Sequence, residues 1–219
     1  APQRATEVDD LGVCPLMFAA SGGCLDAAKL LVKFGADIFA RNPINWSVLL
    51  YAALGGHDHM VRWLVEGGVT VTDHELVLAA YTGNSTSLKA LLELYEGSVV
   101  DLRTNESRKS LLHLACEGLC FLKSSAECHA QCVELLLNWQ VPVDQAEPRQ
   151  GRTCLQNYIE DARWRTRGFE LSRTHLSILE RLCEAGASVT MEDFGGNSAL
   201  SIAAAAELST VREVLFAYA

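Results

Sequence analysis

His113, Cys116, Cys120, Cys128, His129 and Cys132 crowd into one short stretch of the chain. Cys116 and Cys120 are four residues apart, as are Cys128 and Cys132. On two antiparallel helices such pairs could face each other and offer tetrahedral thiolate ligation to zinc. A tight zinc site normally carries Cys-x2-Cys spacing, which is absent here. The competing reading places Cys116 in a small-residue position and Cys132 in a core aliphatic position, and the spacing favours it. No metal or other cofactor is therefore expected, with Cys116, Cys120, Cys128 and Cys132 kept as the candidate zinc set.

Nucleophilic catalysis finds less support. His57 and His59 follow the Gly55-Gly56 turn, and His74 and His175 stand alone. None adjoins a recognisable nucleophile motif, and neither phosphate-cradling glycine pattern occurs. An enzyme is not expected. A second cluster is basic: Arg149, Arg152, Arg163, Arg165, Arg167, Arg173 and Arg181, with Trp164 and Phe169 interleaved. It could recognise an acidic peptide, a phosphorylated segment or RNA. Glu147, Glu160, Asp161, Glu170 and Glu180 offset it to a local +2, which favours a solvated helical face.

The elements that would position these groups repeat. Leu16, Ala19, Ala20, Leu31 and Gly35 recur 33 residues later as Leu49, Ala52, Ala53, Leu64 and Gly68. A fixed period of that length marks stacked copies of one small unit, and stacked units present extended binding surfaces. Within the first unit Pro15 can open a helix, Gly22-Gly23 closes it, and Leu25 to Phe34 forms a second helix with Ala28, Leu31 and Val32 on its buried stripe. Gly35 supplies the positive-φ stop.

With 49% hydrophobic and 21% charged residues the chain is expected to fold. A net charge of −9 disfavours non-specific binding to nucleic acid or anionic membrane. No apolar run approaches the roughly 20 residues of a membrane helix. The eight cysteines show no secreted-scaffold spacing, so reduced thiols in cytoplasm or nucleus are expected. The chain opens on Ala1 and closes on an apolar helix, Val211 to Tyr218, and reads as a fragment of something longer.

The openings Gly12-Val13-Cys14-Pro15-Leu16-Met17, Asn45-Trp46-Ser47-Val48-Leu49-Leu50, Arg108-Lys109-Ser110-Leu111-Leu112-His113, Gly151-Arg152-Thr153-Cys154-Leu155-Gln156 and Gly196-Asn197-Ser198-Ala199-Leu200-Ser201 carry a family resemblance. So do the closings Phe34-Gly35-Ala36-Asp37 and Ala185-Gly186-Ala187-Ser188. The chain resembles the ankyrin-repeat proteins, whose unit is a β-turn finger, two antiparallel helices and a loop. Of the openings, that of the fourth unit alone keeps the family's histidine, His113.

The resemblance implies an all-α ankyrin-repeat solenoid, one domain over 1–219, with about six helix-turn-helix repeats near 9–40, 41–71, 72–96, 97–143, 144–189 and 190–219. The third lacks about six residues of finger. The fourth and fifth are enlarged, around Leu119 to His129 and Glu160 to Thr174.

In this family partners usually meet the finger tips and the exposed side of the first helices. Carried onto this chain, the partner-binding set is Leu11, Val13, Phe39, Arg41, Ile44, Trp46, Leu54, Tyr81, Lys109, Glu117, Arg149, Arg152, Arg163, Trp164, Arg165, Arg167 and Phe194. Phe39, Ile44 and Trp46 read either as an apolar hot spot or as cover for the shortened third repeat.

The expected function is non-catalytic protein or peptide recognition by a scaffold or adaptor inside the cell, with no membrane insertion and no small-molecule substrate. Alternatives are a substrate-recruiting subunit of a ubiquitin ligase and a phosphate- or RNA-binding module centred on the arginine cluster.

Overall fold

The computed structural model describes residues 5–104, 107–121, 126–166 and 172–219, with the backbone alone for 119–121 and 163–166. Among them are twelve helices and no strand: α1 Pro15–Ser21, α2 Leu25–Lys33, α3 Val48–Leu54, α4 Asp58–Glu66, α5 Asp73–Thr82, α6 Ser85–Leu94, α7 Leu111–Phe121, α8 Ala126–Asn138, α9 Cys154–Thr166, α10 Arg173–Glu184, α11 Ala199–Ala205 and α12 Ser209–Phe216. No helix among the described residues is long and apolar enough to cross a membrane.

The helix limits follow from local chemistry. Pro15 opens α1 directly after an extended Cys14, where its missing N–H costs no hydrogen bond. The Ser47 hydroxyl accepts from the Leu50 N–H at 3.0 Å and caps α3. Ser198 and Ser201 form a reciprocal capping box on α11. Gly35 closes the α2 turn at φ +94°.

Contacts divide the chain into two compact units, residues 1–79 with 84–97, and residues 80–83 with 98–219. In the first unit α1 packs on α2 and α3, α3 on α4 and α6, and α4 on α6. Its core is Leu16, Met17 and Ala20 against Leu49, Leu50 and Ala53, continued by Met60, Leu64, Leu88 and Leu91. In the second unit α7 packs on α8 and α9, α9 on α11, α8 on α10, and α10 and α11 on α12. Leu111, Leu112, Leu155, Tyr158, Ile178, Leu182, Ile202 and Leu215 are buried there. Burying each such side chain contributes about 1.5–3 kcal/mol. The α7 to α10 helices run 11, 13, 13 and 12 residues, against 7 and 9 for α1 and α2. Part of the extra sequence therefore lengthens helices, and 122–125 and 167–171 lie outside the described residues.

Neighbouring helix pairs are clamped by a side chain that reaches the end of the preceding first helix. His57 Nε2 donates to the Ser21 carbonyl at 3.0 Å and His59 Nε2 to the Gly23 carbonyl at 3.0 Å. Asn84 Nδ2 donates to the Leu54 carbonyl at 2.8 Å. In the second unit His129 Nε2 does the same to the Tyr81 carbonyl at 3.2 Å. Glycine lets the backbones meet at these joints: a Cβ on Gly55 would lie 2.5 Å from the Ser21 carbonyl oxygen, and one on Gly118 would overlap the Tyr81 carbonyl.

Candidate functional site

Before α1, α3, α7, α9 and α11 the chain makes a tight finger, and four of the five share one construction. Asp9 Oδ1 accepts from the N–H groups of Leu11 and Val13. Asn42 Oδ1 accepts from Ile44 and Trp46, Glu147 from Arg149 and Gln150, and Asp193 Oδ1 from Gly195 and Asn197. In the α7 finger Thr104 Oγ1 accepts from Lys109 N. Each finger turns through a left-handed residue: Gly12, Asn45, Arg108, Gly151 or Gly196, at φ from +50° to +74°. Side-chain acceptors placed this way fix a loop tightly. Whatever stands at the tip is held rigidly and loses little entropy on binding.

In the first unit the tips are apolar. Leu11 is 75% exposed and Ile44 65%. The two fingers touch, because a Cβ on Gly12 would overlap the Pro43 ring. Trp46 is half-buried, edge-on to Tyr51 at 5.8 Å, and the Tyr51 hydroxyl accepts from Asn42 Nδ2 at 3.2 Å. Arg41 is exposed, with Nη1 donating to the Asn45 carbonyl at 3.1 Å. Leu54 is half-buried at the end of α3.

Two expectations change here. Val13 is buried, because the finger's alternation turns it inward while Leu11 points out. Phe39, although exposed, has its ring beside Gly68 at the end of α4, so it belongs to the loop and not to the tip of the finger. The sequence reading missed Phe18, 60% exposed on α1. Its 33-residue counterpart Tyr51, beside Trp46, was the signal that could have found it. It also missed Val8, exposed just before the first finger.

The second unit's candidates are charged and largely engaged with each other. Lys109 Nζ donates to Glu117 at 2.7 Å, both half-buried. Arg152 Nε donates to Asp193 Oδ2 at 2.9 Å, bridging two fingers. Burial alone would raise the Asp193 carboxyl, but Arg152 and the finger N–H groups outweigh it and hold Asp193 below the usual carboxylate range. Arg149 is exposed. Phe194 is exposed, with its ring against Gly151 and its N–H bonded to the Gln150 carbonyl at 2.8 Å. Tyr81 is half-buried and gives its carbonyl to His129. The side chains of Arg163, Trp164 and Arg165 and all of Arg167 lie outside the described residues.

Of the cysteine set, Cys116 and Cys132 are buried and Cys128 is half-buried, while the Cys120 side chain is outside the described residues. Burial pushes the Cys132 thiol up to about 12, which disfavours the thiolate that metal ligation needs. Among the described residues no group of three or more His, Cys, Asp or Glu could hold a metal ion. Trp63 is half-buried on α4, and Trp139, just past the end of α8 at Asn138, is 39% exposed.

Paired helices joined by β-turn fingers define a helical-repeat fold. Residues 2–75 match the family model for ankyrin repeats in three copies. The human Notch-regulated ankyrin repeat-containing protein is 54% identical over 43 residues, 20% of this chain and 38% of that protein. Human protein phosphatase 1 regulatory subunit 27 is 33% identical over 94 residues, 41% of this chain and 59% of that protein. The chain thus spans about two-fifths to three-fifths of these curated relatives. The crystal structure of the ankyrin repeat domain of Bcl-3 aligns over 94% of this chain and 86% of its own, with a TM-score of 0.71 and 24% identity. An Acinetobacter baumannii ankyrin repeat domain aligns over 93% and 97%, with a TM-score of 0.70 and 20% identity. These two likenesses concern the fold.

Proposed function

We propose that this chain is a non-catalytic recognition module that binds a protein or peptide through the finger tips of its first unit. One observation carries the reading: Leu11 and Ile44 stand exposed on two touching fingers, each locked by its own side-chain acceptor. Large apolar groups held rigidly in solvent are what a partner's hot spot requires. Trp46, Tyr51 and Phe18 extend the apolar character from the fingers towards α3 and α1. Arg149 and Phe194 of the second unit supply a separate cationic and aromatic tip.

The test compares proteins captured from lysate by the wild-type chain, by Leu11→Asp/Ile44→Asp, and by the exposed-site control Glu213→Lys. Specific partners should fall by about thirtyfold or more with the double variant, the loss expected for hot-spot residues, and stay with the control. Equal capture by all three would defeat the reading.

A further inference from the structure

Two hollows open where the second helices of the first unit end. The first, of about 400 Å³, is lined by Val32, Ile38, Trp63, Leu64, Glu66 and Gly67. The second, of about 250 Å³, takes Val65, Val69 and Val71 from the end of α4 and the link beyond it, and Leu94 and Glu96 from the end of α6. The last turn of α4 thus parts them, one opening towards α2 and the other towards α6. Each is walled by helix pairs that follow one another in the chain. Mostly apolar recesses of this kind are where ligand groups are held.

An aromatic ring stands at the boundary. Phe39 follows Ile38 of the first hollow, and a Cβ on Gly68, which borders the second, would lie 3.9 Å from the Phe39 ring. Phe39 is 58% exposed. Its backbone is held in place, since the Phe39 N–H donates to Asp37 Oδ1 at 2.9 Å. An exposed, fixed aromatic group between two apolar recesses is an anchor of the sort that dominates binding energy.

The charges choose the occupant. Glu66 borders the first hollow and Glu96 the second, and both are exposed. Neither forms an ion pair among the described residues. Arg62, the base one turn before Glu66, is bonded to Glu93 instead. Asp37 adds a third exposed carboxylate, and Lys33 is the one base within residues 32–39, 63–71 and 94–97. Such a field repels phosphate and anionic lipid and draws in Lys and Arg. The walls of the hollows ask for apolar side chains.

We infer that this seam is a second docking surface, and that its occupant is a basic peptide segment of a partner protein. Two apolar side chains of the segment fill the two hollows, with Phe39 packed between them. Lys or Arg beside each apolar residue pairs with Glu66 and Glu96, which selects for charge where the hollows select for shape. The seam shares no residue with the tips at Leu11 and Ile44, so the inference stands whether or not those tips bind.

Panning a random dodecapeptide library on the chain carrying Leu11→Asp/Ile44→Asp, which disables the finger tips, tests this. Enriched peptides should combine two or more large apolar residues with Lys or Arg. In fluorescence anisotropy a synthetic copy of the leading peptide should bind the wild-type chain and the Leu11→Asp/Ile44→Asp variant alike. Glu66→Lys/Glu96→Lys should weaken it about tenfold, since each change turns an attraction into a repulsion. Glu66→Gln/Glu96→Gln should weaken it less and flatten its salt dependence. Phe39→Asp should weaken it by about tenfold or more. All three positions are exposed, and a circular-dichroism melt checks that each variant is folded. No enrichment, or enrichment of acidic or uncharged peptides, overturns the proposal. Binding indifferent to either the charge changes or Phe39→Asp overturns it too. Because the tips are disabled during panning, failure of the finger-tip reading leaves this outcome untouched.

Discussion

At the sixth residue of their helix openings the two units differ in kind. The first two openings hold Met17 and Leu50 there, both buried and apolar. The second unit holds His113, Gln156 and Ser201. His113 Nε2 donates forward to the Arg152 carbonyl at 3.1 Å. Gln156 Nε2 donates forward to the carbonyls of Met191 at 2.7 Å and Asn197 at 2.9 Å. With Arg152 bonded to Asp193, each finger of α9 and α11 is tied to the opening before it. In the first unit the polar link runs between helix starts instead, from Ser47 Oγ to Glu75 Oε1 at 2.7 Å. Its touching fingers keep apolar tips in solvent. Where polar side chains tie a finger to the opening before it, few are left for a partner, and where such ties run elsewhere, as in the first unit, the finger tips keep apolar groups in solvent.

The largest way to break this contrast is at the backbone joints, where both units depend on glycine. Gly118→Ala forces a Cβ into the Tyr81 carbonyl, and the nearby His129 ring leaves little room to shift. A clash with backbone is relieved only by separating α7 from its neighbour, at a cost of about 3 kcal/mol. Gly55→Ala meets the Ser21 carbonyl at the corresponding joint of the first unit, less closely, with a Cβ distance of 2.5 Å. Urea unfolding should rank Gly118→Ala below Gly55→Ala, and both below wild type. Equal stability of Gly118→Ala and wild type would remove close backbone approach as the shared device.

A smaller effect tests the polar ties directly. Arg152→Ala leaves the Asp193 carboxylate, whose side chain is 3% exposed, without its cation. Breaking such a pair costs about 2 kcal/mol here, below the range for fully buried pairs because Arg152 itself keeps 17% exposure. Amide hydrogen exchange should quicken in the α9 and α11 fingers and leave those of α1 and α3 unchanged. Quickening in all four would mean the finger ties are not local to the second unit.

How much of this was legible beforehand depends on how far apart the interacting residues lie. The helix limits were readable because Pro15, Gly22, Gly23 and Gly35 act on their own neighbours. So were the fingers that turn at Gly12, Gly151 and Gly196. The turns at Asn45 and Arg108 were harder, since residues with a side chain hold φ values of +65° and +50° there. Leu11, Ile44 and Phe194 could be placed at tips from the repeat register. Val13 could not, because the inward alternation is set by the Asp9 acceptor. Arg152 and Lys109 looked free because their partners are remote: Asp193 lies 41 residues on and Glu117 eight. A charge run shows its composition in sequence and its pairing only in three dimensions.

The smallest expected effect sharpens the comparison through pH. His113 is buried, and its Nε2–H donates to the Arg152 carbonyl. In that neutral tautomer Nδ1 accepts from the Ser110 hydroxyl at 2.7 Å. Burial pushes its pKa below the ordinary 6.5, more than the Arg152 carbonyl raises it. The unfolded chain therefore takes up a proton near pH 6.5, while the folded chain takes it up only at lower pH. The linkage follows: the contribution of His113 is intact above about pH 7.5, declines as pH falls through 6.5, and levels off below the folded pKa. Met17 and Leu50 give the first unit no such slope at the corresponding places. His113→Gln, which copies the donor that Gln156 already provides one repeat later, should flatten the decline between pH 7.5 and 5.5 while keeping stability near pH 7.5. The measurement is hydrogen exchange of α7 and α9 amides across that range. An unchanged slope in His113→Gln would put the pH dependence elsewhere and leave the polar joint of the second unit independent of protonation.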